Sequence, residues 1–282
     1  LSTVKYNFLM TQVLKKSNNL QILISTKGKK DFTFLDSMFR NCDLKNHSIL
    51  IVDQSESPKD ISSLSKKFDI KYFNIEANGL SNSRNFAISK SNADICLLCD
   101  DDVIYESEFS KIITDSFEKS DSDVITYYAK NDKGTLFKNY PKKTIHTYKS
   151  ISYINSFLIA FKREKIVSKE IKFDPLFGLG AVFETADEYV FLRTIIENHI
   201  PIKSCHEVIL THPVESSGQY AGRDKNIFAR AAIFYKFYGY LSYAKLVHHI
   251  FLLFNKDMIG FSDIKSKFLV GIDGIRKYKS LI

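Results

Sequence analysis

Tryptophan is absent from this 282-residue chain, and cysteine is scarce, at 4 residues. Cys96 and Cys99 have the spacing of a redox or zinc pair, but they lie in an apolar run and no second pair accompanies them. Buried thiols are the expected state, and nothing in this usage calls for an oxidising compartment. Glycine-rich phosphate loops are missing as well. After the first apolar run the chain reads Ser25-Thr26-Lys27-Gly28-Lys29-Lys30, which matches neither GxGxxG nor a P-loop and argues against a nicotinamide cofactor or an ATPase site. The chain also lacks zinc-finger spacing, an RNP-like aromatic motif and any long Lys/Arg block, so its formal charge of +8 is not read as a nucleic-acid footprint. The opening residues mix Lys, Asn, Thr and Gln into their apolar positions and form no secretory pattern; the chain begins on Leu1, with Met10 a further candidate start.

A hydrophobic content of 44% with 26% charged residues is ordinary globular composition, and the length holds one large domain or two small ones. The positive balance calls for an anionic partner, with sugar diphosphates and anionic lipid headgroups ahead of nucleic acid. Strand-like and helix-like patterns alternate through the first half. Strands are predicted at residues 21–25, 48–53, 70–75 and 94–99, with helices at 31–39, 59–67, 80–89 and 108–118 between and after them. Near-continuous apolar strands separated by helices imply a parallel sheet covered on both faces. Ligands of such sheets bind beyond the carboxyl ends of the strands, where Thr26, Asp53 and Asp100–Asp102 all fall. Further on, strands are predicted at 124–128, 156–161 and 207–211, and helices at 187–198, 226–238 and 241–254, before a basic stretch.

The run Ile95-Cys96-Leu97-Leu98-Cys99-Asp100-Asp101-Asp102 delivers 3 successive carboxylates to one strand end. Like charges this close repel, and a cation among them relieves the repulsion. In an extended chain Asp100 and Asp102 share one side and Asp101 takes the other. Two hard oxygen ligands suit Mg²⁺ or Mn²⁺ arriving with a substrate's phosphates; an acidic turn capping the next helix is the competing reading. In Asn78-Gly79-Leu80-Ser81-Asn82-Ser83-Arg84-Asn85, Ser81 reads as an N-cap that puts Arg84 in the first turn, where helix amides favour an anion. Asp187-Glu188 opens a later helix, where a carboxylate could take a proton from an attacking hydroxyl. Thr185 and Glu188 also have capping-box spacing, so a purely structural role competes. His212, held extended by Pro213 ahead of the loop Glu215-Ser216-Ser217-Gly218, could complete a metal site and tilt it toward Mn²⁺.

Taken in order, Ser25-Thr26, Ile51-Val52-Asp53, the Gly79–Asn85 stretch, Asp100-Asp101-Asp102, Asp187-Glu188 and His212 resemble the bacterial family-2 glycosyltransferases of the GT-A fold, over about residues 20–218. The resemblance implies an α/β fold with a mostly parallel central sheet flanked by helices. It carries the base-contacting acid to Asp53, the metal–diphosphate ligands to Asp100 and Asp102 with His212, and further donor contacts to Thr26, Arg84 and Asp101. The catalytic base maps to Glu188, with Asp187 the alternative. The family pattern is broken at two points: the acidic pair is reversed and follows Ala186 instead of Gly, and the usual double acid after the second strand is Asp53-Gln54. Gly178 and Gly180 would be pivots of a loop closing over the donor; a plain surface turn is the bland alternative.

The activity so implied is an inverting, Mn²⁺- or Mg²⁺-dependent transfer of a sugar from a nucleotide-diphosphate donor, with UDP the expected nucleotide. The acceptor would be a hydroxyl of a glycan or a polyprenyl-diphosphate-linked saccharide in surface polysaccharide or capsule assembly, in the cytoplasm or at the inner face of the plasma membrane. A nucleotidyltransferase also uses paired Asp and a metal, and a degenerate binding partner would explain the irregular Asp187-Glu188 pair. The layout expected is an N-terminal extension at 1–19, a catalytic domain at 20–218 divided near 123 into nucleotide and acceptor halves, and a helical extension at 219–282. In that extension Leu241, Ala244, Val247, Phe251 and Phe254 form one helical face, expected to pack on the catalytic domain; docking on an anionic membrane is the alternative. The run is not an uninterrupted apolar stretch of spanning length.

Overall fold

A computed structural model of the chain describes residues 19–212 and 221–282. Residues 1–18 of the expected N-terminal extension, Pro213 and the 215–218 loop lie outside the described residues. Strands β1 (Leu20–Thr26), β2 (Ser48–Asp53), β3 (Ile70–Asn74) and β4 (Ile95–Asp100) pair in parallel in the order β3-β2-β1-β4. Six of the seven residues of β1 are buried, because helices cover both faces. Burying one Leu or Ile side chain contributes about 1.5–3 kcal/mol, so such a run resists any shift of register. The sheet then continues through β7 (Ile159–Lys162), β6 (Val124–Lys130), β8 (Ile202–Thr211) and β5 (Ile104–Tyr105). The β4–β7, β7–β6 and β8–β5 pairs are antiparallel and β6–β8 is parallel, which makes the whole sheet mixed.

The helices before the second half are α1 (Phe34–Met38), α2 (Ser62–Ser65), α3 (Leu80–Lys90) and α4 (Phe109–Glu118). Phe109, Ile113 and Phe117, spaced four apart, form the buried stripe of α4. Two helices are shorter than their apolar periodicity predicts, and side-chain oxygens explain why. Asp31 accepts from the Thr33 backbone N–H at 2.9 Å, and Asp60 from that of Ser62 at 2.8 Å, holding each approach in an Asx turn outside the helix. Residues 156–158, predicted as strand, form a 3-10 turn ahead of β7.

The remaining helices are α5 (Arg163–Ser168), α6 (Asp187–Glu197), α7 (Asp224–Tyr238), α8 (Ser242–Asn255) and α9 (Ile264–Lys279). The basic C-terminal stretch is thus a full helix. Its contacts use small residues that carry no apolar signal: Gly271 faces Leu246 of α8 and Gly274 faces the Phe228 carbonyl of α7 so closely that an added Cβ would clash. The predicted packing face of α8 is inverted. Leu246, Ile250 and Leu253 are buried against α7 and α9, while Leu241, Val247 and Phe251 are 69%, 56% and 57% exposed. α7 and α9 also pack on the loop before α6 and on α6 itself, where Phe177, Phe183 and Val190 cluster with Ala229, Ala232, Ile233 and Tyr278. Among the described residues no helix is long and apolar enough to cross a membrane.

Candidate functional site

The carboxyl ends of β1, β2 and β4 lie side by side, with Thr26 in register with Asp53 and Ser25 with Asp100. Beyond them opens a cavity of about 360 Å³ lined by Ser25, Thr26, Lys27, Gln54, Gly79, Leu80, Leu179, Gly180 and all three acids of the Asp100–Asp102 cluster. The three acids have separate partners. Asp101 accepts from the Thr26 hydroxyl at 2.5 Å and pairs with Lys29 at 3.2 Å. Asp100 accepts from Arg84 Nη2 at 2.8 Å, and Ser156 lies 3.4 Å from its other oxygen. Asp102 is 55% exposed, with His212 Nε2 at 3.6 Å. The expected alternation ends at Asp100, because β4 stops there and Asp101 and Asp102 enter a turn. Burial and the neighbouring charges of Asp100 and Asp101 raise the Asp102 carboxyl above its usual range, although His212 opposes them. His212 itself is buried against the Phe157 ring, with centroids 4.7 Å apart.

Two other donor-side residues sit differently from their sequence expectation. Asp53 is fully buried and does not line the cavity. Its carboxylate accepts from the Ser55 N–H at 2.9 Å, the Ser55 hydroxyl at 2.6 Å and the Tyr72 hydroxyl at 3.0 Å, and it pairs with Lys59. Burial alone would raise its pKa, but these donors hold it below the ordinary value. Gln54, next in sequence, is the residue that reaches the cavity wall. Ser81 is no N-cap: α3 is capped by Gly79 at φ +95°, and the Ser81 hydroxyl donates to the Phe177 carbonyl at 2.7 Å. Arg84 therefore lies in the second turn and is 98% buried rather than at the helix mouth, since its exposure is 2%.

Arg84 joins the two sides of the site. One guanidinium nitrogen pairs with Asp187, while the other donates to Asp100 and, at 2.6 Å, to the Ser156 hydroxyl. Burial works against its charge, and Asp187 and Asp100 more than offset it. Leu80, Leu179 and Arg84 border a second cavity of about 210 Å³, which also contains Lys138, Ser156, Asp187, Glu188 and Arg230. Asp187 is buried and engaged by Arg84; Glu188 is only partly buried. Burial first, and the Asp187 charge second, push the Glu188 carboxyl up to about 8. The capping-box geometry is not formed, because Ala186 is the N-cap of α6 and no side chain bonds the helix end.

The loop ahead of α6 is pinned rather than free. Leu80 N–H donates to the Leu179 carbonyl at 2.9 Å, Gly178 N–H to Phe183 O at 2.9 Å, and Lys236 pairs with Asp174 at 3.0 Å. Gly178 (φ +102°) and Gly180 (φ +76°) owe their identity to close approach. A Cβ on Gly178 would lie 2.9 Å from the Asp187 carboxyl carbon, and one on Gly180 would lie 3.4 Å from the Gly79 Cα. Sequence reasoning missed Ser156, Lys29, Lys138 and Arg230. Lys29 sits in a run that matches no phosphate-loop pattern, and the other three had no local pattern to mark them.

Among the described residues no cluster of three or more His, Cys, Asp or Glu is assembled to hold a metal by itself. The exposed carboxylate of Asp102, which lines the cavity, and the His212 imidazole beside it make a partial donor set of one hard oxygen group and one nitrogen. Such a set fits an ion whose remaining ligands come from substrate phosphates.

A family model described as "Glycosyl transferase family 2" matches residues 33–179, just over half of the chain. None of the curated proteins matches the chain in sequence. Solved structures align over nearly its full length. S. aureus TarS 1-349 is 13% identical with a TM-score of 0.59, covering 94% of this chain and 83% of that one. The same protein in complex with UDP-GlcNAc gives 0.57 at 13% identity, with coverage of 94% and 84%. The mannosyltransferase PcManGT from Pyrobaculum calidifontis, in complex with GDP-Man and Mn²⁺, gives 0.57 at 11% identity, with coverage of 93% and 88%. At these identities the structural likeness is one of fold, and that fold is GT-A.

Proposed function

The chain belongs to glycosyl transferase family 2, and from that premise we propose that it moves a sugar, with inversion, from a nucleotide-diphosphate donor to a hydroxyl of a glycan or lipid-linked saccharide. The observation that carries the reading is the pair of adjoining cavities. One is walled by the three Asp carboxylates and the other by Glu188, with Arg84 bridging the acids on both sides. UDP is the expected nucleotide, since the TarS structure was obtained with UDP-GlcNAc, although the PcManGT structure holds GDP-Man. Surface polysaccharide assembly is the proposed setting. The exposed apolar face of α8 favours contact with the cytoplasmic surface of the membrane, where lipid-linked acceptors are presented.

We assign Asp102 and His212 to a divalent ion, Mn²⁺ or Mg²⁺, with Asp100 on the same strand end. When bound there with the donor, such an ion supplies positive charge against the negative charge that builds on the departing nucleoside diphosphate. Asp101, held by Thr26 and Lys29, fixes the base of the donor cavity, and Gln54 lines its wall where the family resemblance put Asp53. Glu188 is assigned as the base. A carboxyl near 8 accepts a proton from an acceptor hydroxyl more readily than an ordinary carboxylate, because its basicity lies nearer the operating pH. Asp187 is a positioning residue: its oxygen is occupied by Arg84, which ties the Glu188 helix to the Asp100 strand. A single base on the acceptor side, with the donor cavity beyond the Leu80–Leu179 divider, favours one displacement and hence inversion.

The test is turnover of a panel of nucleotide sugars with and without Mn²⁺, comparing the wild type with Asp102→Ala. Sugar release that needs the metal and falls at least about 100-fold in the variant is expected. Pyrophosphate release would point to nucleotidyl transfer. Metal-assisted nucleotide affinity and turnover unchanged in Asp102→Ala would sink the assignment.

A further inference from the structure

We propose that the acceptor carries a phosphate group beside the hydroxyl that receives the sugar, and that Lys138 and Arg230 form the subsite that binds it. The inference rests on the transferase reading above and specifies its acceptor. The Glu188 cavity is lined by three cations, Arg84, Lys138 and Arg230, and by three carboxylates, Glu184, Asp187 and Glu188, so what marks it is the pairing of these groups and not their number. Arg84 is committed to Asp187 and Asp100. Lys138 and Arg230 form no ion pair among the described residues. Lys138 lies over the Phe137 ring at 5.9 Å and Arg230 over the Tyr189 ring at 5.8 Å, both of them aromatic faces rather than carboxylates.

A partly buried cation without a counter-ion is costly, and a ligand anion removes that cost. Burial lowers the pKa of both residues, with Glu188 the carboxylate that opposes the shift. Glu188 is not, however, their dedicated partner. A carboxylate neutralised by two cations would titrate low, whereas that of Glu188 is pushed up to about 8. Although Glu184, Asp187 and Glu188 share the cavity, no carboxylate among the described residues closes on Lys138 or Arg230, which leaves both heads available to a ligand anion. A guanidinium fork and an ammonium together match the tetrahedral oxygens of phosphate. Arg230 also lines a smaller adjoining cavity of about 90 Å³ with Asn226 and His249, so the groove leads from Glu188 toward α7 and α8. The helical extension therefore supplies one wall of the acceptor site.

The phosphate could belong to a glycan phosphodiester or to a lipid diphosphate, and matched probes separate the two. The full chain, saturated with nucleoside diphosphate and Mn²⁺, is titrated calorimetrically with a sugar linked to glycerol directly or through phosphate, and with a sugar linked to farnesyl directly or through diphosphate. In at least one pair the phosphate-bearing member is expected to bind about 10-fold tighter or better, the worth of a charge-assisted contact. Arg230→Gln and Lys138→Gln should each remove most of that preference, and Arg230→Lys should restore part of it. Equal affinity within both pairs, including no measurable binding of any member, overturns the proposal. So does a preference left intact by both Gln variants. The wild-type comparison stands even if a variant fails to fold. Donor hydrolysis, measured separately on the same preparation, distinguishes the two failures: its absence overturns the transferase reading, and its presence with equal affinities overturns only the phosphate subsite.

Discussion

Replacing Glu188 by Gln keeps the side chain's shape while removing the carboxylate, and the structure gives its effects opposite signs for catalysis and for stability. The folded-state value near 8 stands above the ordinary 4.5, so between those pH values the folded protein binds the proton that the unfolded chain has released. Stability contributed by this group is thus fully present below about 4.5 and is lost as pH rises through about 8. At about 1.4 kcal/mol per pH unit the full span sets a ceiling of ~5 kcal/mol. Because Glu188 is partly exposed, solvent screening cuts this to a difference on the order of 2 kcal/mol. Denaturant unfolding at pH 6 and pH 9 should therefore show the wild type losing about 2 kcal/mol more than Glu188→Gln across that interval. Catalysis runs the other way. A base must be deprotonated to act, so wild-type kcat/KM for sugar transfer should climb through an apparent pKa near 8, and the variant should lose about 100- to 10,000-fold in kcat. An acidic limb at the ordinary carboxylate value, or a variant within tenfold of wild type, would refute the assignment of the base.

Gly178→Ala should act at a distance from the donor: the new methyl would press on the Asp187 carboxyl group, displace the Arg84 pair and lower kcat at least about tenfold, and unchanged kcat would contradict the proposed positioning. Ala186 sits at φ +65°, so Ala186→Gly should raise stability in denaturant melts by about 0.5–1 kcal/mol, the relief of left-handed strain less the entropy glycine loses on folding; a loss of stability would refute the strain argument. If α8 meets the membrane through its outer face, Val247→Glu with Phe251→Glu should abolish flotation with anionic liposomes while leaving the buried Leu246–Ile250–Leu253 seam intact; equal flotation would remove α8 from that role.

Much of this architecture is legible in the chain because two-sided burial writes itself as apolar runs: the predicted positions of β1, β2, β3 and β4 agree with the structure to within a residue or so at their ends. Where local side-chain bonds compete with periodicity, the boundaries shift, as Asp31 and Asp60 do for α1 and α2. The direction of α8 was not readable, because it is apolar on two faces and only the partner helices decide which one is covered. The extension was expected to be helical, but the face of α9 was hard to read because Gly271 and Gly274 share it with Ile275 and Tyr278 and interrupt its apolar signal. In the site, residues in compact motifs could be named in advance, namely Arg84, the Asp cluster and the Asp187-Glu188 pair. Ser156, Lys138 and Arg230 could not, since their relevance comes only from long-range proximity to Glu188 and Asp100.

The two cavities each hold charged groups that are not closed into ion pairs, and Arg84 explains how both sets persist in one fold. On the donor side Lys29 pairs with Asp101 and one arm of Arg84 with Asp100, Lys27 also lines the wall, and burial followed by the neighbouring acids raises Asp102. On the acceptor side Lys138 and Arg230 form no ion pair among the described residues, although Glu184, Asp187 and Glu188 line the same cavity. In an unconstrained chain these groups would move together and cancel. Here the Arg84 ion pairs hold the β4 end and the α6 start at fixed separation, with Leu80 and Leu179 between the cavities. Replacing Arg84 would leave Asp187 buried without a counter-charge, a loss of about 3–5 kcal/mol that would obscure any catalytic effect. Its contribution is better read through the groups it holds apart. On the proposed reading the exposed Asp102 carboxylate and the Lys138 and Arg230 heads would each be completed by a ligand, a divalent ion with its diphosphate on one side and a phosphate-bearing acceptor on the other. The electrostatic cost of these unclosed charges would then be recovered only when both substrates are bound.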